Sequence, residues 1–537
     1  MNIQFEADRA MLPSHSAQGV RFLFDGAPDV RSVALAGTFN SWVGDACLLE
    51  RVTPTRWQCT LALAPGRHLY KFVVDGAQWI ADPANPWLSE DGQNNSCVTI
   101  DETGAVLMRE RALGPHAPGP LHARHAALAT PAWLRDGVLY QLSVRAFGAD
   151  FDGVRARLAH LAQLGVDVIW MMPIHPIGVE GRLGRLGDPY AVRDFEAIDP
   201  ALGDAASLRA LVDAIHAHGM RIVFDWTLNR SSVDNVLTAT HPDWYTHDAN
   251  GQICYTVPNR AYFGGFDFGQ PALRTYLIGA MRSWVERFDL DGFRFDDSDI
   301  TPLDFLVDIR TALAAARPDI GIISQAYDEF HHIASCDLTY EGGTREMLRR
   351  LACGQADAAA FAQYWAESTY SFPRGALRMR WLEEKEQPRA RKFFGDGAHL
   401  AAAAVLLTMD GVPHILMGQE FDEPNWRDWS VLFDDVRLDW DCFDARVFSH
   451  FQSLIGLRRR HRALRDGSTE FLPGLPAGVL GYVRAFAGES IVVLANLSGA
   501  RASLPACALA PLYAQGWDAE QRILAGHGCL VGMPLAA

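Results

Sequence analysis

Leu290-Asp291-Gly292-Phe293-Arg294-Phe295-Asp296-Asp297 is a short apolar stretch that ends in charge. It follows a run from Gln270 to Phe288 whose apolar residues Leu273, Leu277, Ala280, Met281, Trp284 and Phe288 recur at helical spacing. The stretch reads as a buried strand after a helix. Side chains alternate faces along a strand, so Arg294 and Asp296 point the same way. Two readings stand at this point. The pair is either a structural ion pair or the rim of an active site, since α/β folds keep their chemistry at the carboxyl ends of their strands.

The rest of the chain sets bounds. At 537 residues it exceeds one hydrophobic core, and three domains or so are expected. Hydrophobic content of 49% and charged content of 21% are those of a globular protein. A formal net charge of -16 speaks against nucleic acid and anionic membrane surfaces as partners. Nine cysteines without a CxxC pair suit a reducing compartment. Met1 to Ser16 has no basic segment followed by an apolar core, and no apolar run is long enough to span a bilayer. A cytoplasmic location is expected. The oligomeric state is left open by the sequence.

Residues 18 to about 101 alternate as short strands between turn signals: Val30 to Gly37, Arg56 to Leu63 and Arg67 to Val74. The expectation is a β-sandwich over residues 1–103. Gly37-Thr38-Phe39-Asn40-Ser41-Trp42, Pro65 to Gly76, Trp79 and Asp82-Pro83 resemble carbohydrate-binding module family 48. The resemblance implies glycogen binding through Trp42, Trp79, Lys71 and one of Asn94 or Asn95. Indole faces stack on the apolar face of a glucose ring while polar groups take its hydroxyls. The plainer alternative is that both tryptophans are core. Residues 104–131, with Leu113-Gly114-Pro115-His116-Ala117-Pro118-Gly119-Pro120, read as a linker.

From Trp133 onward, strand-like and helix-like runs alternate. Val138 to Leu142, Val166 to Trp170, Ile222 to Asp225, Gly292 to Asp296, Ile320 to Ser324, Leu338 to Tyr340, Leu377 to Leu382 and Val412 to Met417 are the strand candidates. Eight such strands with intervening helices predict an α/β fold, a closed (β/α)8 barrel over residues 132–467. Residues 468–537 alternate again around Ser490 to Asn496 and predict a small antiparallel β-sandwich. Trp170-Met171-Met172-Pro173, Gly187-Asp188-Pro189-Tyr190, Asp225-Trp226-Thr227-Leu228-Asn229, Gly292 to Asp296 and Gly411-Val412-Pro413 through Gly418-Gln419-Glu420 resemble, in order, the signatures of glycoside hydrolase family 13.

That resemblance implies a retaining α-glucan-active enzyme, with Asp296 as nucleophile, Arg294 keeping it ionised, and Tyr190 stacking beneath the sugar. It implies an α-glucan as partner; no cofactor is expected, and no metal, since the spacing of the His and acidic residues offers no third ligand. Asn229 lies where some members bind calcium, but one residue makes no oxygen cage. His175, Glu180, His331 and His332 are candidates to line the cleft, and Asp225 to be a buried structural acid near Arg294.

Three signature segments depart from the family. Gln325 stands where the resemblance places the acid, and an amide has no proton to give, a loss of about 10²- to 10⁴-fold. Arg230 follows Asn229 in place of His, and Glu383-Glu384-Lys385-Glu386 replaces Glu-Asn-His-Asp. Glu386 thereby substitutes for the sugar-gripping aspartate and Lys385 for a histidine. Relative to the family pattern, the pocket becomes about two charge units more positive. One reading is an enzyme whose leaving group needs no acid, such as a glycosyl phosphate drawn by Arg230 and Lys385. Another is a silent barrel in which Arg230, Lys385, Glu384 and Glu386 neutralise one another. A third brings in Asp328 or Glu329 as acid.

Overall fold

In the computed structural model, the described residues are 11–85, 89, 93, 95–100, 104, 106–107, 125–255, 260–426, 432–505 and 509–535. Eight parallel strands close into a barrel: β1 (Leu139–Leu142), β2 (Val168–Met171), β3 (Arg221–Thr227), β4 (Gly292–Asp296), β5 (Gly321–Ser324), β6 (Leu338–Glu341), β7 (Leu377–Trp381) and β8 (Val412–Leu416). β1 pairs with both β2 and β8, which completes the ring. Every other residue points inward, and Leu139, Val168, Trp170, Val223, Ile323, Leu338, Tyr340, Met379 and Val412 fill the interior.

The stretch at β4 is built to order. The helix Pro271–Phe288 buries Leu273, Leu277, Met281, Trp284 and Phe288 and stops at Asp289, which adopts the left-handed conformation. Asp291 then anchors the lower end of the strand. Its carboxylate takes Arg221 at 2.7 Å, Arg317 at 2.6 Å, His216 at 2.8 Å and the Ile222 N–H at 2.9 Å. Gly292 lets β5 approach, since a Cβ there would meet the Gly321 carbonyl oxygen at 2.4 Å. In the β3–β4 register, Asp225 faces Arg294 and Thr227 faces Asp296, which brings the charged residues to the carboxyl-terminal end of the barrel.

Ahead of the barrel, two antiparallel sheets enclose Phe22, Phe24, Leu35, Tyr70, Phe72 and Val98. Strand Gly66–Val74 sends Tyr70, Phe72 and Val74 into this core. Lys71 and Val73 therefore lie on the other face, opposite Ala36 and Ala34. Within the stretch read as a linker, Val106–Leu107 adds a short strand beside Thr99 and Ile100. Farther along, Ala127 and Leu128 donate to the carbonyls of Arg374 and His332.

After the barrel comes one continuous six-stranded antiparallel sheet. Leu480, Tyr482, Val493 and Val531 on one face join the barrel's core, and Val479, Val492, Leu494 and Leu530 on the other form a second cluster. No helix among the described residues is long and apolar enough to cross a membrane.

Candidate active site

Arg294 is the hub of the barrel's upper end and is fully buried. Its Nη1 donates to Asp225 at 2.8 Å and to Asp296 Oδ1 at 2.5 Å, its Nε to the Tyr340 hydroxyl at 3.0 Å, and its Nη2 to Gln325 Oε1. The rings of Trp170 and Tyr340 lie 5.0 and 5.4 Å from the guanidinium carbon. A planar guanidinium has five donors, and this arrangement uses four of them to fix the pocket's geometry. Asp225 also accepts from Trp170 Nε1 at 3.0 Å and Tyr190 Oη at 2.7 Å. Burial raises its pKa against the pull of Arg294, and its oxygens hold neighbouring side chains in place.

Asp296 is held on both sides. Arg294 takes Oδ1, and Arg230 Nη2 donates to Oδ2 at 2.6 Å. Lys385 Nζ lies 4.0 Å from Oδ1. Burial opposes the charge on Asp296, but Arg294, Arg230 and Lys385 outweigh it and hold the carboxyl well below the usual range. The group is an ionised carboxylate at any ordinary pH.

The added cations are themselves met by acids. Arg230 Nη1 binds Asp297 Oδ2 at 2.7 Å and Asn229 Oδ1 at 2.8 Å, while its guanidinium rests 4.6 Å from the Phe263 ring. Lys385, with no solvent exposure, lies 3.0 Å from both Glu384 and Glu386 and 5.0 Å from the Tyr190 ring. Each of the two cations that depart from the family pattern thus has its own acidic partners, Asp296 and Asp297 for Arg230 and Glu384 and Glu386 for Lys385. Glu386 remains 44% exposed in its side chain, whereas Tyr190 is only 4% exposed.

Gln325 is oriented by its oxygen. Oε1 accepts from Arg294 and from the Asp297 N–H at 3.1 Å, so its NH2 points away from both. Asp297 takes the left-handed backbone region, at φ 44° and ψ 45°. Its adjacency to Asp296 was plain in the sequence, but its partnership with Arg230, 67 positions away, had no local signature.

The other candidates fall elsewhere. Asp328 caps a turn by accepting from the Phe330 N–H at 2.7 Å. Glu329 is buried, and its pKa is pushed up to about 8 by burial and by Asp328, against the pull of Arg67 from the N-terminal sheets. His175 lies among Phe195, Trp226 and Trp284 and bonds the Ala197 carbonyl, and burial takes its pKa down to about 4. His331 and His332 are likewise buried against Ser324 and Thr339. Glu180 is exposed and lines a groove with Tyr262 and His247. Among the described residues, no group of three His, Cys, Asp or Glu side chains is arranged to hold a metal.

On the N-terminal sheets, Trp79 pairs with Val73 and is 38% exposed. Trp42 packs on Ala34, Ala36 and Val73, so both indoles and Lys71 share the outer face. The Lys71 ammonium donates to the Gln93 carbonyl at 2.8 Å. Asn95 is buried and exchanges hydrogen bonds with Ser89. Asn94 lies outside the described residues.

Comparison with known proteins agrees with this geometry. Residues 135–304 match the alpha-amylase catalytic domain, and residues 20–106 match the glycogen recognition site of AMP-activated protein kinase. Alpha-amylase MalA of Haloarcula japonica is 26% identical over 428 residues, covering 74% of this chain and 60% of the relative. A cyclomaltodextrinase of Geobacillus thermopakistaniensis is 25% identical over 393 residues, covering 67% and 64%. The chain therefore spans less than two thirds of either relative's length. The crystal structure of a noncanonic maltogenic alpha-amylase from Thermotoga neapolitana superposes with a TM-score of 0.67 at 28% identity, over 75% of this chain and 100% of that one. The first half of the barrel is thus similar to an alpha-amylase catalytic domain, and the N-terminal sheets are similar to a glycogen recognition site.

Proposed function

We propose that the chain is a retaining α-glycoside hydrolase or transglycosylase acting on glycogen-like or maltodextrin α-glucans, with an acid requirement altered from the family's. The observation that carries this reading is Asp296, held ionised at the end of β4 by Arg294 while an amide, Gln325, occupies the expected acid position. A carboxylate so placed can attack an anomeric carbon, whereas Gln325 cannot protonate what leaves. Trp42, Trp79 and Lys71 on the outer face of the N-terminal sheet would hold the polymer, together with one of Asn94 or Asn95. Arg230, Lys385, Tyr190 and Glu386 would frame the sugar at the cleavage site. Eight described cysteines are free, which supports a cytoplasmic setting.

The rival reading is a silent α-glucan-binding barrel, and one observation favours it. Both Asp296 oxygens carry guanidinium partners, and Tyr190, Asp296 and Lys385 are all nearly inaccessible. A substrate must displace Arg230 from Oδ2 before attack.

An α-glucosyl fluoride, whose leaving group needs little protonation, separates the two. Turnover that disappears in Asp296→Ala supports the enzyme. Absence of turnover on the fluoride and on an α-glucosyl phosphate, with glycogen still retained, establishes the silent barrel.

A further inference from the structure

One carboxyl group in the cleft has been given no task. Asp297 follows the nucleophile directly, and its left-handed backbone is fixed at both ends. Its N–H donates to Gln325 Oε1 at 3.1 Å, and its carbonyl accepts from Asn229 Nδ2 at 3.2 Å. This turn carries the carboxyl to the same guanidinium that binds Asp296. Arg230 Nη2 reaches Asp296 Oδ2 at 2.6 Å, and Nη1 reaches Asp297 Oδ2 at 2.7 Å. The two acids are neighbours across one planar group. They differ in access, since the Asp296 side chain is 4% exposed and that of Asp297 is 36% exposed.

We propose that Asp297 is the proton donor that replaces the acid absent at Gln325, an inference that rests on the retaining reading of Asp296. In the first step, Asp297 gives its proton to the glycosidic oxygen, and the C1–O bond breaks with its electron pair going to that oxygen. Asp296 Oδ2 forms the new bond to C1. In the second step, Asp297 takes a proton from water as the water oxygen bonds to C1, and the Asp296–C1 bond breaks back to the carboxylate. Arg230 links the two states. It faces the charge on Asp296 before reaction and the charge on Asp297 once Asp296 has become an ester, so the buried guanidinium always keeps one anionic partner.

The surroundings push the two acids apart in the required sense. Burial raises the Asp297 carboxyl, Arg230 and Arg260 pull it down, and the charges of Asp296 and Glu386 raise it further, for a net rise. Asp296 is displaced the opposite way by its three cations. Neighbouring acids and bases separated in this manner take complementary roles. Gln325 adds a geometric argument: its amide oxygen accepts from the Asp297 N–H at 3.1 Å, which anchors the Asp297 backbone beside the expected position of the acid.

The test compares α-glucosyl fluoride with maltohexaose on the full chain. Wild type is expected to cleave both, with maltohexaose turnover falling as pH rises through the Asp297 pKa and no such fall in the initial burst on the fluoride. Asp297→Asn is expected to lower kcat/KM on maltohexaose by about 10²- to 10⁴-fold. Its slow turnover of the fluoride should be restored by azide with formation of a glucosyl azide, because an anion needs no general base. Asparagine tolerates the left-handed region and can still accept from Arg230, so the unfolding midpoint should stay close to wild type. Wild-type cleavage of the fluoride alone, or full maltohexaose activity in Asp297→Asn, overturns the assignment and leaves the retaining reading standing. No turnover of either substrate overturns both.

Discussion

A lysine with no exposure persists only where opposite charge meets it, and Lys385 has Glu384 and Glu386 each at 3.0 Å. Burial works against its charge, yet the two glutamates raise its pKa well above the ordinary value. Lys385→Met strands the buried Glu384, and we expect a loss of about 3–5 kcal/mol. The double variant Lys385→Met/Glu384→Gln should recover most of it, as read from urea unfolding. Glu329 presents the reverse case. Its buried carboxyl titrates near 8 in the folded chain, well above its ordinary value of 4.5, so the folded state holds a proton that the unfolded state has released. Wild-type stability therefore falls as pH rises from about 5 through 8. Glu329→Gln has no proton to lose. Unfolding midpoints of the two proteins should converge at pH 4 and separate in the variant's favour by pH 9, by an amount on the order of 3–5 kcal/mol.

At the scale of elements, the N-terminal sheets meet the loop after β5 at one tight point. Gly66 has φ +137°, and a Cβ there would come within 2.3 Å of the Phe330 ring. Gly66→Ala thus combines a clash with a backbone conformation that L residues avoid, and a loss of more than about 1 kcal/mol is expected in thermal unfolding. Phe330→Ala in the Gly66→Ala background should relieve the clash and return part of the midpoint. The barrel strands around this loop were legible in the sequence because parallel strands buried on both faces read as apolar runs. The reading of Gly292 to Asp296 agrees with the strand residue for residue, and its charged end at Asp296 marks the carboxyl-terminal rim of the barrel. What local pattern could not show is pairing across long separations. Arg230 and Asp296 are 66 positions apart and Arg67 acts on Glu329 from the N-terminal sheets, so charges counted along the chain could not show which acid meets which cation. Legibility also failed for His175, since a histidine on a loop after a barrel strand looks the same whether it enters the cleft or, as here, the aromatic core.

For the whole molecule, the proposed function would put polymer capture and sugar chemistry on different surfaces of one chain. The outer sheet face offers Trp79, 38% exposed, beside Trp42 on a floor of Ala34, Ala36 and Val73, and small residues beneath an indole leave it room to lie flat against a glucan. Truncating Trp79 removes a stacking face with little core contact, so Trp79→Ala should fold normally and lose retention in a glycogen-containing native gel. Trp42→Ala removes packing as well and should show both weaker retention and a lower unfolding midpoint, by about 1–2 kcal/mol. The barrel's pocket, organised by Arg294 around Asp296, is independent of that face, so α-glucosyl fluoride turnover should be unaltered by Trp79→Ala while the KM for glycogen rises. Equal retention of glycogen by wild type and Trp79→Ala would place polymer binding on the barrel instead. A matched loss of fluoride turnover would show that the indole supports the fold of the whole chain, a role its exposure and its place at the edge of the sheet argue against.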